Sequence, residues 1–244
     1  MKTAVTSLTS SVGIFAKTYQ YLQMSKDPQA SIDDLKLQWA QEILSRLNID
    51  LKVTGQVSNE KSLMFLGNHI SYLDIPLLLS TVRGLSFVAK EEISAWPIFG
   101  PAAKKIETVF VKRESGSSRK MARKSIQEAL EKGQRVALFP SGTTCLHEKT
   151  SWRRGAFEIA HESDLLFQPF RISYSPLRAA AYIDDDIFPI HLYNLFSHEC
   201  IEAHIEFHEP VKIKDPIEDC ERWQNWAKEA VEIPISVSAE TMPT

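Results

Sequence analysis

The sequence predicts an α/β fold: a single domain with a mostly buried mixed sheet flanked by helices, preceded by an N-terminal pair of amphipathic helices. Three observations predict it. Beyond residue 50 the chain alternates short β-like runs with helical stretches, as a helix-covered sheet does. Before residue 50, apolar residues recur at helical spacing on either side of Pro28. Finally, 244 residues with 43% hydrophobic and 24% charged content suit one substantial core.

In chain order, Val12, Phe15, Tyr19 and Leu22 mark the first helix; Leu35, Trp39, Ile43, Leu44 and Leu47 mark the second. Residues 1–50 form this unit, and two uses of its apolar faces stay open. They pack on the domain, or they rest on lipid with Trp39 and the tyrosines at the interface. The main domain is read over 51–235, with strands at 51–54, 62–67, 84–89, 108–112, 135–140, 166–172 and 202–207. Its helices are read at 75–82, 117–132, 155–161 and 216–232. Gly133, just past a lysine-containing last turn, stops the second of these. Residues 236–244 read as a loose tail.

Composition excludes several classes. A formal charge of −3 argues against a nucleic-acid partner, which needs a basic excess. Cys145, Cys200 and Cys220 are too widely spaced for a zinc site and are odd in number, so a reducing compartment is expected. With no run of eighteen apolar residues and no convincing signal peptide, we expect a cytoplasmic protein. Any membrane contact is then peripheral, on the inner face.

The segment Asn68-His69-Ile70-Ser71-Tyr72-Leu73-Asp74 carries the chemistry. In one regular helix His69 and Asp74 would stand about 140° apart. A strand-to-loop-to-helix junction instead folds His69 back over the helix start. Pro76 suits a first helical turn and places Asp74 near its positive end. A carboxylate there holds one imidazole nitrogen protonated and leaves the other free to accept a proton. A structural reading stands beside this one: Ser71-x-x-Asp74 is also a capping box, although Pro76 would then sit too deep.

The segment resembles the first motif, N-H-x-S-x-x-D, of the glycerolipid acyltransferase family (1-acyl-sn-glycerol-3-phosphate acyltransferase-like). Later segments follow in the family's order. They are Phe87-Val88-Ala89-Lys90 with Pro97 and Gly100, Val109-Phe110-Val111-Lys112-Arg113, Phe139-Pro140-Ser141-Gly142-Thr143-Thr144, Gly155-Ala156-Phe157 and Gln168-Pro169-Phe170. The resemblance implies a glycerol-3-phosphate acyltransferase-like fold and an O-acyltransferase. His69 would be the general base, Asp74 its orienting carboxylate, and Asn68 and Ser71 supporting residues. Arg113, Ser141, Gly142, Thr143 and Thr144 would bind the acceptor, a lysophospholipid or related lysolipid. The acyl group would come as a thioester of coenzyme A or acyl carrier protein. Neither cofactor nor metal is implied, and the other six histidines lack metal-ligand spacing. An apolar tunnel for the acyl chain is also implied; residues 75–79 would either line it or simply pack the core.

Three positions depart from the family. Glu107 stands where the second motif has glycine, so the backbone there is expected to be shaped differently. Ser141 replaces the glutamate of the third motif and Thr144 its arginine, removing a charged fork suited to phosphate. Two readings stay open: the acceptor is a larger-headed, amino-acid or glycolipid, or hydroxyls replace the glutamate and the acceptor class is unchanged. The basic runs Arg119, Lys120, Arg123, Lys124 and Trp152-Arg153-Arg154 are either solvated faces or contacts for anionic lipid or an acidic carrier protein. A serine hydrolase lacks its G-x-S-x-G elbow here. An inactive lipid-binding relative and a phospholipid transacylase remain as alternatives.

Overall fold

A computed structural model of the protein describes residues 4–112, 116–146 and 151–232. Helices α1 (Ala4–Met24) and α2 (Ile32–Arg46) open the chain. Ser31 starts α2 by accepting from the Asp34 amide at 3.3 Å, while Asp33 and Asp34 in the first turn and Arg46 in the last complement its dipole. Of the two uses left open for its apolar face, α2 takes packing. Ala40, Ile43 and Leu44 enter the main core, and Trp39 turns inward, its Nε1 donating to Thr18 Oγ1 at 3.1 Å. Helix α1 divides: Ile14 is buried, whereas Val12 and Tyr19 are 58% and 52% exposed.

The strands are β1 (Ile49–Thr54), β2 (Met64–Gly67), β3 (Leu85–Lys90), β4 (Val109–Val111), β5 (Arg135–Leu138), β6 (Leu166–Ser175), β7 (Ile201–Phe207) and β8 (Val211–Lys212). They form one sheet in the order β1-β7-β6-β2-β5-β3-β4, with β8 beside β6. Only the pairings of β6 with β7 and with β8 are antiparallel, so the sheet is mixed, as predicted. Helices α3 (Asp74–Thr81), α4 (Phe99–Lys105), α5 (Gly116–Glu131), α6 (Gly155–Glu162), α7 (Leu177–Ala180), α8 (Phe188–Leu195) and α9 (Pro216–Glu232) complete it.

Side chains alternate across central β2 and so feed a core on each face. Phe65 packs with Leu77, Leu78 and Ile172 on one side, while Met64 and Leu66 meet Ile126, Phe157 and Trp223 on the other. Leu77, Leu78 and Leu79 therefore serve ordinary core packing.

The structure corrects the sequence reading at several elements. The strand read as ending at residue 172 runs on to Ser175, because its second half pairs antiparallel with β7 and tolerates the polar Arg171, Ser173 and Ser175. Helices α4, α7 and α8, a 3-10 turn at Glu91–Ala95 and the two-residue β8 were not anticipated. They are too short to show a period, and Gly100-Pro101 within α4 reads as a helix breaker. Arg113, His147 and the tail 236–244 lie outside the described residues.

Strands β2, β5 and β6 run parallel, so their carboxyl ends open onto one edge of the sheet, where ligands of such sheets bind. The last β2–β6 pair is Gly67 with Phe170. A Cβ at Gly67 would stand 2.4 Å from both the Phe170 ring and its carbonyl oxygen, so only glycine lets the chain pass into the next residue.

Candidate active site

Asn68 continues the ladder with its side chain. Its Nδ2 donates to the Ile172 carbonyl and its Oδ1 accepts from the Ile172 amide, both at 2.8 Å. That two-point clasp ends β2 and aims His69 off the sheet edge. The chain then turns back, and Asp74 opens α3 with Pro76 inside its first turn.

His69 Nδ1 lies 2.7 Å from Asp74 Oδ2. The same oxygen accepts from the Ile70 amide at 2.8 Å and the Ser71 amide at 3.1 Å, and Asp74 Oδ1 accepts from the Tyr174 hydroxyl at 2.6 Å. Four donors converge on a fully buried carboxyl group, an arrangement suited to a carboxylate and not to a protonated acid. The capping-box alternative is not what forms. The residue before α3 is Leu73, with no side-chain cap, and Asp74 binds the amides of its own approach loop. Ser71, wholly buried, accepts from the Leu73 amide at 3.3 Å and stiffens that loop.

With Nδ1 facing Asp74, Nε2 is the ring nitrogen that Asp74 does not engage. The His69 side chain is 18% exposed. Phe139 stacks on the imidazole at 3.9 Å between centroids and 12° between planes, fixing the ring. The amide of Cys145 donates to the His69 carbonyl at 2.8 Å and ties in the loop after β5. On the other flank, the Tyr72 hydroxyl lies 2.9 Å from His191 Nδ1, whose Nε2 meets the Ala181 carbonyl at 2.9 Å. Burial pushes the Tyr72 hydroxyl up and the His191 imidazole down from their usual ranges, so both stay neutral near pH 7.

The proposed acceptor loop lies beside His69. Ser141 is buried and spends its hydroxyl on the Thr143 carbonyl at 2.7 Å; Thr143 is exposed and Thr144 half-buried. Two openings border this loop, one lined by Ser141 and the other by Gly142. A narrow cleft of about 10 Å³ joins His69 and Ser141 to Cys145, Trp152, Gln224 and Lys228. A groove of about 1470 Å³ runs along α5, past Phe139 and Gly142, with Val111, Ile126 and Leu138 among its apolar lining. Its cations include Lys120, Arg153 and Arg154, while Lys112 is ion-paired to Glu91 and Arg123 to Glu158 and Glu162. Glu107 holds a left-handed φ of 59°, a conformation that suits the glycine of the second motif.

A family model described as Acyltransferase matches residues 50–173. The chain belongs to the acyltransferase family. It is 33% identical over 178 residues to a lyso-ornithine lipid O-acyltransferase from Pseudomonas aeruginosa, covering 71% of this chain and 68% of that one. A second enzyme of that name, from Rhizobium meliloti, is 31% identical over 71% of this chain and 65% of its own length. A 1-acyl-sn-glycerol-3-phosphate acyltransferase from Neisseria meningitidis is 36% identical over 42% of this chain and 40% of its own. In fold, the crystal structure of the 1-acyl-sn-glycerophosphate (LPA) acyltransferase PlsC from Thermotoga maritima superposes with a TM-score of 0.65 at 18% identity. That match covers 96% of this chain and 98% of that one. The protein is an O-acyltransferase.

In this acyltransferase, sequence reasoning missed four residues around the histidine: Tyr174, Phe139, Gln224 and Lys228. Phe139 heads the third motif and was visible there. Tyr174 stands 100 residues from Asp74 in the chain, and no local pattern marks it. Gln224 and Lys228 come from α9, whose period signals only a packed helix.

Proposed function

We propose that this enzyme transfers an acyl group from a thioester, on coenzyme A or acyl carrier protein, to the hydroxyl of a lysolipid, with lyso-ornithine lipid as the favoured acceptor. The observation that carries the reading is the 2.7 Å contact of His69 with an Asp74 already held by three further donors. His69 Nε2 takes the proton of the acceptor hydroxyl as its oxygen bonds to the acyl carbon. The tetrahedral intermediate collapses, the C–S bond breaks, and the proton passes from His69 to the departing thiolate. The acceptor supplies the nucleophile, so no enzyme acyl intermediate and no cofactor enters the scheme.

The acceptor choice is supported by the two lyso-ornithine lipid relatives and by the neutral Ser141–Thr144 loop, which offers hydroxyls and amides in place of a phosphate-gripping fork. Lysophosphatidic acid has the phosphate for which that fork is suited; an ornithine head group does not. The long groove, apolar along its floor and cationic at its rim, suits the donor's acyl chain and anionic carrier. Among the described residues no helix is long and apolar enough to cross a membrane. We assign peripheral contact, on the cytoplasmic face, to the exposed apolar residues of packed α1 and α8: Val12, Tyr19, Ile187 just before α8, and Ile190.

The test is a competition assay: purified enzyme, labelled acyl-CoA or acyl carrier protein, and a panel of lysolipids, with products identified by mass. Acylated ornithine lipid is expected to dominate. Preferential formation of phosphatidic acid would overturn the acceptor assignment, and product from phospholipids alone would replace thioester transfer by transacylation.

A further inference from the structure

We infer that Tyr174 is a positioning residue for catalysis, setting the basicity of His69 through the Asp74 carboxylate. The inference rests on His69 acting as the base. Three observations carry it. Tyr174 is buried on β6, and its hydroxyl donates to Asp74 Oδ1 at 2.6 Å, a short contact typical of an O–H donor on a carboxylate. Asp74 is itself inaccessible to solvent, and Tyr174 is the sole donor to Oδ1 among the described residues. The remaining three donors, His69 included, all fall on Oδ2.

Two consequences follow from that division. Held at both oxygens, the carboxylate cannot swing about its Cβ–Cγ bond, so Oδ2 stays in line with Nδ1. The phenol also draws negative charge toward Oδ1 and away from Oδ2, which moderates the pull of the carboxylate on the imidazolium. Burial and the facing Asp74 charge drive the Tyr174 hydroxyl well above its usual range, so it remains a proton donor throughout the working pH. Among the described residues, Cys145 and Lys228 are the other titratable groups of the narrow cleft beside His69, and Tyr72 acts on the Tyr174 hydroxyl. The Tyr174 hydroxyl reaches His69 through Asp74, whose other oxygen meets the ring.

The experiment follows the pH profile of kcat/KM and, separately, the NMR titration of the His69 ring in the purified full-length protein. Tyr174→Phe removes one oxygen and preserves the ring; it is expected to move the acidic limb, and the His69 midpoint, up by about half to one pH unit. Site-specific replacement of Tyr174 by 3-fluorotyrosine, a stronger donor of nearly the same size, is expected to move both down. Shifts of opposite sign establish the coupling, which loss of packing would not produce. An unmoved limb and midpoint in both variants would overturn it. The NMR midpoint reads the coupling without turnover, so a failure of the acyl-transfer reading is distinguishable from a failure of this one.

Discussion

The loop after β2 and the loop after β5 meet at His69, yet they hold their side chains by different means. In the first, bonds run outward to distant parts of the chain: Asn68 clasps Ile172, Asp74 takes the Tyr174 hydroxyl, and the Ile70 carbonyl accepts from the Tyr182 amide at 3.0 Å. In the second, the Ser141 hydroxyl turns back on Thr143 in the same loop, and Thr143 stands exposed. Where the family motif is kept, local bonds are backed by long-range ones. Where it departs, at Ser141, the side-chain bond is local. A side chain with distant partners cannot change without disturbing them, whereas one bonded within its own loop can change and so alter the acceptor.

The largest effect is expected on the first loop. Asp74→Asn replaces an acceptor oxygen by a donor amide facing donors, so kcat is expected to fall by about 10²–10⁴-fold with the fold retained by circular dichroism. A loss under tenfold would mean that the outward bonds are structural only. On the second loop a change should redirect activity and not abolish it. Thr144→Arg restores a forked cation and is expected to raise kcat/KM for lysophosphatidic acid relative to lyso-ornithine lipid by roughly tenfold. Equal losses on both acceptors would show that this loop is as constrained as the first.

Smaller still is the effect expected at Glu107. Glycine relieves the left-handed φ but frees the unfolded chain and gives up the 2.8 Å contact from Gln134, so Glu107→Gly is expected to change stability by no more than about 1 kcal/mol. Denaturant titration checks it, and a loss well above that figure would give the Glu107 carboxylate an unrecognised structural role.

The pH dependence of stability belongs to neither loop. Burial holds His191 and His204 below the ordinary histidine range. The unfolded chain therefore binds more protons at these sites, so stability is full above about pH 6.5 and declines as pH falls below it. His191→Gln, measured by thermal melts from pH 7.5 to 5, is expected to flatten that decline.

The same division explains what was legible in the sequence. Strand β2 was readable because it is an uninterrupted apolar run bounded by turns, and α9 because its period is long. The pairing of His69 with Asp74 was readable because a sharp junction before Pro76 brings them together and the motif resembles the family's first, although a capping box also fitted the residues. Tyr174 was not, since its role depends on how parallel β6 registers against β2, a tertiary fact. Helix α8 escaped because its eight residues bury only His191, Leu192 and Leu195. The inward turn of Trp39 escaped as well, because a helical stripe does not say whether protein or lipid covers it.

The measurement that bears most directly on His69 as the base is acyl transfer by His69→Ala, from a labelled thioester to lyso-ornithine lipid. It is compared with the native enzyme after matched thermal melts. Product formation is expected to drop by at least about a hundredfold while the melting temperature stays close to native. Transfer at a rate near native by a well-folded His69→Ala protein would contradict it.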